Sequence, residues 1–244
     1  MTLLVAMLAL LQDPAQEMTA KTYDGPGGKL LYRLYTPKAA SAENKLPLIL
    51  FLHGAGERGD DNAAQLKNCM KQFLKMQEKY PAFIVAPQCP RDKKWNEVNW
   101  QAASHVTPEK PSDPFASLMP LLNELKKELP VDLKRLYVTG LSMGGYGTWD
   151  LITRLPDTFA AAVPICGGGD ETKAPAIAKI PQWIFHGGAD NVVKPERSRN
   201  MVEALKKAGA EPKYTEYPGV GHNSWDKAYG EADLWPWLFS QKRP

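Results

Sequence analysis

The sequence contains little of what would tie a protein to a membrane, a nucleic acid or a disulfide framework. Its 30 basic and 27 acidic residues leave a net charge of only +3, and Lys and Arg are nowhere dense enough to form a basic patch. Three cysteines allow at most one disulfide and lack the spacing of a metal site. No apolar run is long enough for stable membrane insertion. The expected partner is a small neutral molecule rather than a nucleic acid.

The cysteines are Cys69, Cys89 and Cys166. Cys89 and Cys166 each follow an apolar, strand-like run, so these two thiols could lie near one another in the fold. A disulfide between them is one possibility. We favour buried free thiols, because free cysteine is among the residue types most often found in protein interiors.

The N terminus begins with an apolar stretch at residues 3–11, which has the length of the apolar region of a signal peptide. No Lys or Arg precedes it, and no clean small-residue cleavage site follows. We therefore divide the chain into residues 1–20, a signal peptide or packed N-terminal segment, and residues 21–244, a single domain. A signal peptide predicts a secreted or periplasmic protein, whereas a packed segment allows a cytoplasmic one.

Compact apolar runs without polar alternation recur along the chain and indicate strands buried on both faces. They are residues 47–52, 82–86, 136–139, 159–165 and 182–185. Helical spacing of apolar residues occurs at residues 64–80, 115–129, 146–155 and 195–208. This β-α-β-α alternation predicts a single-domain α/β fold with a mostly parallel sheet and helices on both faces.

A polar segment at residues 91–114 interrupts this alternation. It is long, contains prolines and has few large apolar residues besides Trp95 and Trp100. It begins at the end of a predicted strand, and ligands of open parallel sheets bind beyond the carboxyl ends of the strands. The segment is therefore expected to form a loop over the functional site.

The pattern Gly-x-Ser-x-Gly occurs from Gly140 to Gly144, between a predicted strand and a predicted helix. This context is that of a nucleophile elbow, in which a serine occupies a tight, strained turn between a strand and a helix. Glycines are needed there because side chains on either side would collide with the neighbouring elements. Ser142 is the candidate nucleophile.

A serine hydroxyl needs a base within hydrogen-bond reach and a carboxylate that orients the base. Asp190 ends a glycine turn directly after a predicted strand, and His222 lies in a glycine-rich loop further along the chain. The chain order Ser, Asp, His is that of the α/β-hydrolases. Ser142, Asp190 and His222 therefore form the predicted catalytic triad.

Other residues of the same types are less well placed. Asp170 or Asp226 could replace Asp190, but neither directly follows a predicted strand at the required edge. His186 lies inside a predicted strand and is interpreted as a buried, hydrogen-bonded structural residue. His105 lies in the polar segment, where it could simply be exposed.

The oxyanion of an acyl-transfer intermediate needs two backbone N–H donors. One normally belongs to the residue after the nucleophile, here Met143, and the other to the loop after the first strand of the parallel sheet. We predict Ala55 for the second donor, with Gly56 as the alternative. The side chain of His53 is expected to brace this loop rather than to take part in the chemistry.

Three motifs resemble those of one branch of the α/β-hydrolases, the polyhydroxybutyrate-depolymerase and feruloyl-esterase-like branch. The motifs are Leu-His-Gly-Ala-Gly-Glu-Arg-Gly from Leu52, Gly-Leu-Ser-Met-Gly-Gly-Tyr-Gly from Gly140 and Phe-His-Gly-Gly-Ala-Asp ending at Asp190. The resemblance spans roughly residues 45–225. It implies a hydrolase of esters, because the branch includes carboxylesterases, feruloyl and acetyl-xylan esterases, and members described only as predicted peptidases.

These features favour a serine esterase that acts on a small soluble ester, such as an acetyl or feruloyl ester of plant carbohydrate, without a cofactor or a metal. A serine peptidase of the same fold and a catalytically silent carbohydrate-binding relative remain the alternatives. Trp95, Trp100 and Trp225 are candidates for lining the substrate pocket, although ordinary packing would also account for them. The oligomeric state is not indicated.

Overall fold

The computed structural model describes residues 13–244, which fold around one eight-stranded sheet. Its strands are β1 (Thr19–Gly25), β2 (Gly28–Tyr35), β3 (Leu46–Leu52), β4 (Phe83–Gln88), β5 (Val131–Leu141), β6 (Ala161–Ile165), β7 (Trp183–Gly187) and β8 (Lys213–Tyr217). They lie in the order β1-β2-β4-β3-β5-β6-β7-β8, and all pairs from β4 to β8 are parallel. The mostly parallel α/β sheet predicted from the apolar runs is confirmed.

Helices cover both faces of this sheet, as predicted. Within residues 13–244 they are α1 (Pro14–Glu17), α2 (Met70–Met76), α3 (Asp113–Glu128), α4 (Met143–Arg154), α5 (Ala174–Ile177), α6 (Glu196–Lys207), α7 (Trp225–Gly230) and α8 (Leu234–Ser240). Alternate residues of β3 enter different cores: Leu50 packs with residues of α3, α4 and α6, whereas Phe51 packs with residues of α2, α7 and α8. The continuous apolar runs therefore reflect burial on both sides.

The antiparallel hairpin of β1 and β2 and the edge strand β8 were not predicted. Most residues of β1 are exposed, and the residues of β8 are at most half-buried. Edge strands of this kind lack the apolar runs that mark the inner strands. The hairpin turns at residues 26–27, and Gly28, the first residue of β2, has a φ of 100° that suits glycine.

Several predicted boundaries differ from the structure: the strand predicted at residues 136–139 is the longer β5, and the loop predicted at residues 91–114 ends where α3 begins at Asp113. The predicted helix at residues 64–80 is interrupted at Cys69, whose φ of 65° is left-handed, so α2 begins only at Met70. The boundary between residues 20 and 21 falls inside β1, and Met18 is already buried in the core. The apolar stretch at residues 3–11 lies outside the described residues.

All three cysteines are free and buried, in agreement with the interpretation we favoured. The helices of residues 13–244 are too short or too polar for any of them to cross a membrane.

Parallel pairing directs the carboxyl ends of β3 to β8 toward the same edge of the sheet. The loops that follow β3, β5, β7 and β8 carry His53, Ser142, Asp190 and His222. The irregular segment between β4 and α3, residues 89–112, starts at the same edge and is called the insertion loop below. This edge is where the predicted site residues meet.

Candidate active site

Ser142 lies in a strained turn between β5 and α4. Its φ of 53° and ψ of −117° are unusual for a residue with a side chain, as expected for a nucleophile elbow. Its own N–H donates to the carbonyl oxygen of Ile165 over 3.0 Å. A Cβ atom on Gly144 would overlap the carbonyl oxygen of Leu52, so only glycine allows α4 to approach β3 this closely.

The structure brings the three predicted triad residues together. His222 Nε2 lies 2.8 Å from Ser142 Oγ, and His222 Nδ1 lies 2.7 Å from Asp190 Oδ2. A carboxylate oxygen cannot donate, so Nδ1 carries the proton and Nε2 is free to accept one from the serine. This geometry allows His222 to act as a base toward Ser142.

Asp190 is buried and held as an anion. Its Oδ1 accepts the N–H groups of Val192 and Val193 over 2.8 and 3.0 Å. Burial alone would raise the pKa of this carboxyl, but hydrogen bonds from His186, His222 and the Val192 N–H outweigh it and hold the pKa far below its ordinary value. Asp190 therefore remains charged opposite His222 at any ordinary pH.

The two other candidate acids, Asp170 and Asp226, do not contact His222. Asp170 Oδ1 accepts from both the N–H and the hydroxyl of Thr172, and its Oδ2 accepts from the Thr107 N–H over 2.7 Å. Asp226 is exposed in the first turn of α7. Of the three candidates, Asp190 is the one that contacts His222.

The loop after β3 lies directly against the nucleophile elbow. Met143 is the first residue of α4, where N–H groups have no partner within the helix, and Ala55 opens a 3₁₀ turn, Ala55–Glu57. A Cβ atom on Gly54 would lie 2.8 Å from Leu141 Cδ1, which shows how closely the two loops pack. The assignment of Met143 and Ala55 as oxyanion donors stays a prediction.

His53 braces this loop, as expected. Its Nδ1–H donates to the carbonyl oxygen of Gly54 over 2.6 Å, and its Nε2 accepts the N–H of Cys89 over 2.9 Å. Burial lowers the pKa of His53 to about 4, so the ring is neutral near pH 7. Both ring nitrogens are bonded to main-chain groups. These two bonds connect the loop after β3 to the start of the insertion loop.

The expectation that Trp95 lines a substrate pocket is wrong. The side chain has no exposed surface, stacks on Phe115 and packs against Gly147 of α4. Its indole N–H donates to the carbonyl oxygen of His53 over 3.1 Å. Trp95 is therefore a core residue beneath these loops. Its indole N–H is already bonded to the main chain, so no polar group of this side chain is left for a substrate.

Trp100 and Trp225 are only partly buried. Trp100 borders a cavity of about 510 Å³ between the insertion loop and the start of α6, which Asn191 and Val192 also line. Asn191 and Val192 directly follow Asp190, so the cavity adjoins the loop between β7 and α6, residues 188–195, which is called the acid loop below. The ring of Trp225 lies edge-on to His222 with centroids 5.6 Å apart. Both tryptophans remain candidates for contact with a substrate.

The insertion loop is held mainly by two arginines that sequence analysis did not single out. Arg197 of α6 donates to the carbonyl oxygen of Ala102 and to His105 Nδ1 over 2.8 and 2.6 Å. Arg154 of α4 donates to the carbonyl oxygens of residues 108–110. Asp170 adds the bond to Thr107. His105 is accordingly half-buried and not simply exposed.

A signal for Arg197 was present in the sequence. It lies four and eight residues before Met201 and Leu205, on the apolar face of α6, and it is only 1% exposed. A charged residue on the buried face of an amphipathic helix calls for a specific partner. The partner itself could not be predicted, because the insertion loop is about 90 residues away in the sequence.

One set of possible metal ligands occurs among residues 13–244. Ligand atoms of Cys166, Asp190 and His222 lie within 4.8 Å of one another. Burial raises the pKa of the Cys166 thiol, which disfavours the thiolate that a metal would need. His222 Nδ1 and Asp190 Oδ2 are bonded to each other. The donors therefore fit a triad better than a metal centre.

Comparisons with known proteins agree with this architecture. A family model described as the dienelactone hydrolase family matches residues 92–230. A crystal structure described as a thermostable esterase is 39% identical and has a TM-score of 0.86, over 93% of this chain and 64% of that chain.

Two proteins with assigned names are also similar to this chain in sequence. A probable carboxylesterase of Oryza sativa subsp. japonica is 26% identical over 81% of this chain and 79% of that protein. Poly(3-hydroxyalkanoate) depolymerase C of Paucimonas lemoignei is 25% identical over 80% of this chain and 50% of that protein. The chain thus spans only part of the depolymerase and of the solved esterase. These similarities confirm the resemblance to α/β-hydrolase esterases and depolymerases that the motifs indicated.

Proposed function

Because this chain belongs to the dienelactone hydrolase family, and is thus a hydrolase of the esterase type, we propose that it cleaves carboxylic esters through a covalent intermediate on Ser142. The observation that carries the proposal is the continuous hydrogen-bonded chain from Ser142 Oγ through His222 to Asp190, with links of 2.8 and 2.7 Å. A hydroxyl, an imidazole and a buried carboxylate in this order are the groups that serine acyl transfer needs.

The first half of the reaction forms the acyl-enzyme. Ser142 Oγ attacks the ester carbonyl while His222 Nε2 takes the hydroxyl proton, and the N–H groups of Met143 and Ala55 stabilise the oxyanion. The intermediate then collapses, the bond to the alcohol oxygen breaks, and His222 returns the proton to that oxygen. Asp190 remains ionised throughout and stabilises the imidazolium of His222.

The second half releases the acid. His222 removes a proton from a water molecule, which attacks the acyl carbon, and the bond to Ser142 Oγ breaks as the proton returns to the serine. Each step uses residues of this chain and water alone.

The substrate class we propose is a small soluble ester, with acetyl and feruloyl esters of plant carbohydrate as candidates. The cavity beside Trp100 and the ring of Trp225 offer aromatic surface close to the acid loop and to His222. A panel of p-nitrophenyl esters of increasing chain length and methyl hydroxycinnamates would rank the acyl groups. Preference for long-chain esters over acetyl and hydroxycinnamoyl esters would contradict the proposed class.

Two measurements separate this proposal from its alternatives. A serine-directed fluorophosphonate should label the wild type and not Ser142→Ala, whereas a silent carbohydrate-binding relative would not be labelled at all. Paired assays with p-nitrophenyl acetate and peptide anilides then distinguish an esterase from a serine peptidase, because an amide has the poorer leaving group. Anilide cleavage that is measurable in the wild type and lost in Ser142→Ala would favour the peptidase, because an activated ester alone is cleaved by both kinds of enzyme.

Export is a separate proposal, based on the apolar stretch at residues 3–11. Expression of the full chain in a bacterial host, followed by fractionation and N-terminal sequencing, would test it. A shortened chain outside the cytoplasm supports export, and a full-length chain retained in the cytoplasm contradicts it.

A further inference from the structure

A second histidine contacts the acid of the triad. His186 lies in β7, four residues before Asp190, and its side chain is fully buried. Its Nε2 is 2.9 Å from the carbonyl oxygen of Val193 and 3.2 Å from Asp190 Oδ2. Its Nδ1 is 2.7 Å from Ser198 Oγ in the first turn of α6. The mechanism described above does not use this residue.

These neighbours determine which ring nitrogen of His186 carries the proton. The carbonyl oxygen of Val193 and the ionised Oδ2 of Asp190 are both acceptors, so an unprotonated Nε2 would face two lone pairs without a hydrogen. Nε2 therefore carries the proton, and Nδ1 can accept the hydroxyl of Ser198. The N–H of Nε2 points into the acid loop.

The acid loop closes around this N–H group. Asp190 Oδ1 accepts the N–H of Val193, and the carbonyl oxygen of the same Val193 accepts from His186. Asp190 Oδ2 consequently lies between two imidazoles, at 2.7 Å from His222 and 3.2 Å from His186. Both carboxylate oxygens are thus fixed, and rotation of the carboxylate would break contacts on two sides.

We propose that His186 is a positioning residue of the triad: its Nε2–H fixes the Asp190 carboxylate and the acid loop, and thereby the ring of His222. The inference rests on the proposed function, since it assigns to Asp190 the role of orienting the base. It goes beyond the structural role expected from burial alone, because it ties His186 to the rate of the chemical step.

The chain offers a matched pair of variants for the test. In His186→Gln the amide nitrogen can reach the place of Nε2, whereas in His186→Asn it reaches only the place of Nδ1 and leaves Asp190 Oδ2 without its second contact. We expect kcat for p-nitrophenyl acetate to fall about 30-fold or more in His186→Asn and to stay within about fivefold in His186→Gln, with KM changed less than about threefold in both. Equal kcat values in the two variants would overturn the proposal.

A double-mutant cycle separates positioning from a general loss of structure. If His186 acts through Asp190, adding His186→Asn to Asp190→Asn should lower kcat by less than about threefold further, because the acid is already lost. A full 30-fold additional loss would show that His186 acts independently of Asp190 and would also overturn the proposal.

Failure of the proposed function would look different. A wild-type protein that neither hydrolyses esters nor reacts with a fluorophosphonate would refute the esterase, and with it the inference about His186. A wild type that hydrolyses esters, together with His186→Asn at full rate, would refute the inference about His186 alone.

If His186→Asn does not fold, the rate of fluorophosphonate labelling in His186→Gln and His186→Met, which are of equal length, provides the same comparison. Slower labelling of the Met variant by about tenfold or more is then expected, and equal rates would overturn the proposal.

Discussion

The triad and the insertion loop lie at the same edge of the sheet but are held in different ways. Ser142, Asp190 and His222 occupy short connections at the ends of parallel strands, so the backbone of the sheet determines their positions. The insertion loop has no helix or strand of its own. It is held by Arg154 and Arg197, whose guanidinium groups donate to its carbonyl oxygens.

Because of this difference, we expect the triad to determine the rate of the chemical step and the insertion loop to determine the shape of the substrate site. Main-chain support makes the triad insensitive to side chains that do not contact its three residues, whereas the insertion loop depends on a few side chains that single substitutions remove. Changes within the triad should therefore act on kcat. Changes in the arginine contacts should act on KM and on the choice between small and large esters.

The largest expected effect tests the triad side of the comparison. Asp190→Asn should lower kcat by about 1,000-fold or more with little change in KM, because the imidazole can then adopt the wrong tautomer and the imidazolium loses its countercharge. Asp226→Asn and Asp170→Asn serve as controls and should stay within about tenfold of wild type, since neither contacts His222. Nearly normal kcat in Asp190→Asn would place the acid elsewhere.

The next effect tests whether two tryptophans of the insertion loop differ. Trp95→Ala should lower the free energy of unfolding by about 3–5 kcal/mol, because it leaves a cavity under the loops. Trp100→Ala, at a partly buried position, should cost about 1–2 kcal/mol and raise KM for aromatic esters by about threefold to tenfold. Urea denaturation and kinetics of both variants check this. Similar stability losses in the two would remove the distinction.

A smaller effect tests the arginine contacts directly. Arg197→Met should raise KM for methyl ferulate by about tenfold while leaving kcat for p-nitrophenyl acetate within about threefold, since the loop loses its bonds at Ala102 and His105. Arg197→Lys keeps the charge but cannot make both bonds, so it should fall between wild type and the Met variant. A drop in kcat for the acetate as large as the rise in KM for the ferulate would show that the loop supports the triad itself.

The smallest effect concerns the pH dependence of stability. Burial, together with the nearby charge of Arg197, lowers the pKa of His105 from its ordinary 6.5 to about 4. Below pH 6.5 the unfolded chain binds a proton that the folded protein binds only near pH 4, so this stability is present above pH 6.5 and is lost as the pH falls toward 4. His105→Gln should reduce the loss between pH 7 and 4.5 by about 1 kcal/mol in urea denaturation. An unchanged slope would indicate that His105 titrates normally.

The sequence was most informative where chemistry depends on residues close together in the chain. The strained turn at Ser142 requires glycines beside it, and buried parallel strands leave continuous apolar runs, so the elbow and the inner strands could both be predicted. The choice of Asp190 over Asp170 rested on its place after a predicted strand, but Asp170 also follows a strand, β6, so the contact with His222 is what separates the two acids.

The rest depended on contacts between distant segments. Nothing local distinguishes Trp95, a core residue, from Trp100, which borders a cavity, because both lie in the same polar segment. The partner of Arg197 likewise lies far away in the sequence. The exposed strand β1 lacked an apolar run, since its residues do not face a core on both sides.

The central claim is that Ser142 carries the acyl group, and trapping the intermediate tests it most directly. The protein can be mixed with p-nitrophenyl acetate, quenched in acid within milliseconds, and digested for mass spectrometry. We predict one acetyl adduct, on the peptide that contains Ser142, which decays at the steady-state rate and is absent from Ser142→Ala. Continued hydrolysis by Ser142→Ala, or an adduct on another residue that turns over at the catalytic rate, would contradict the account.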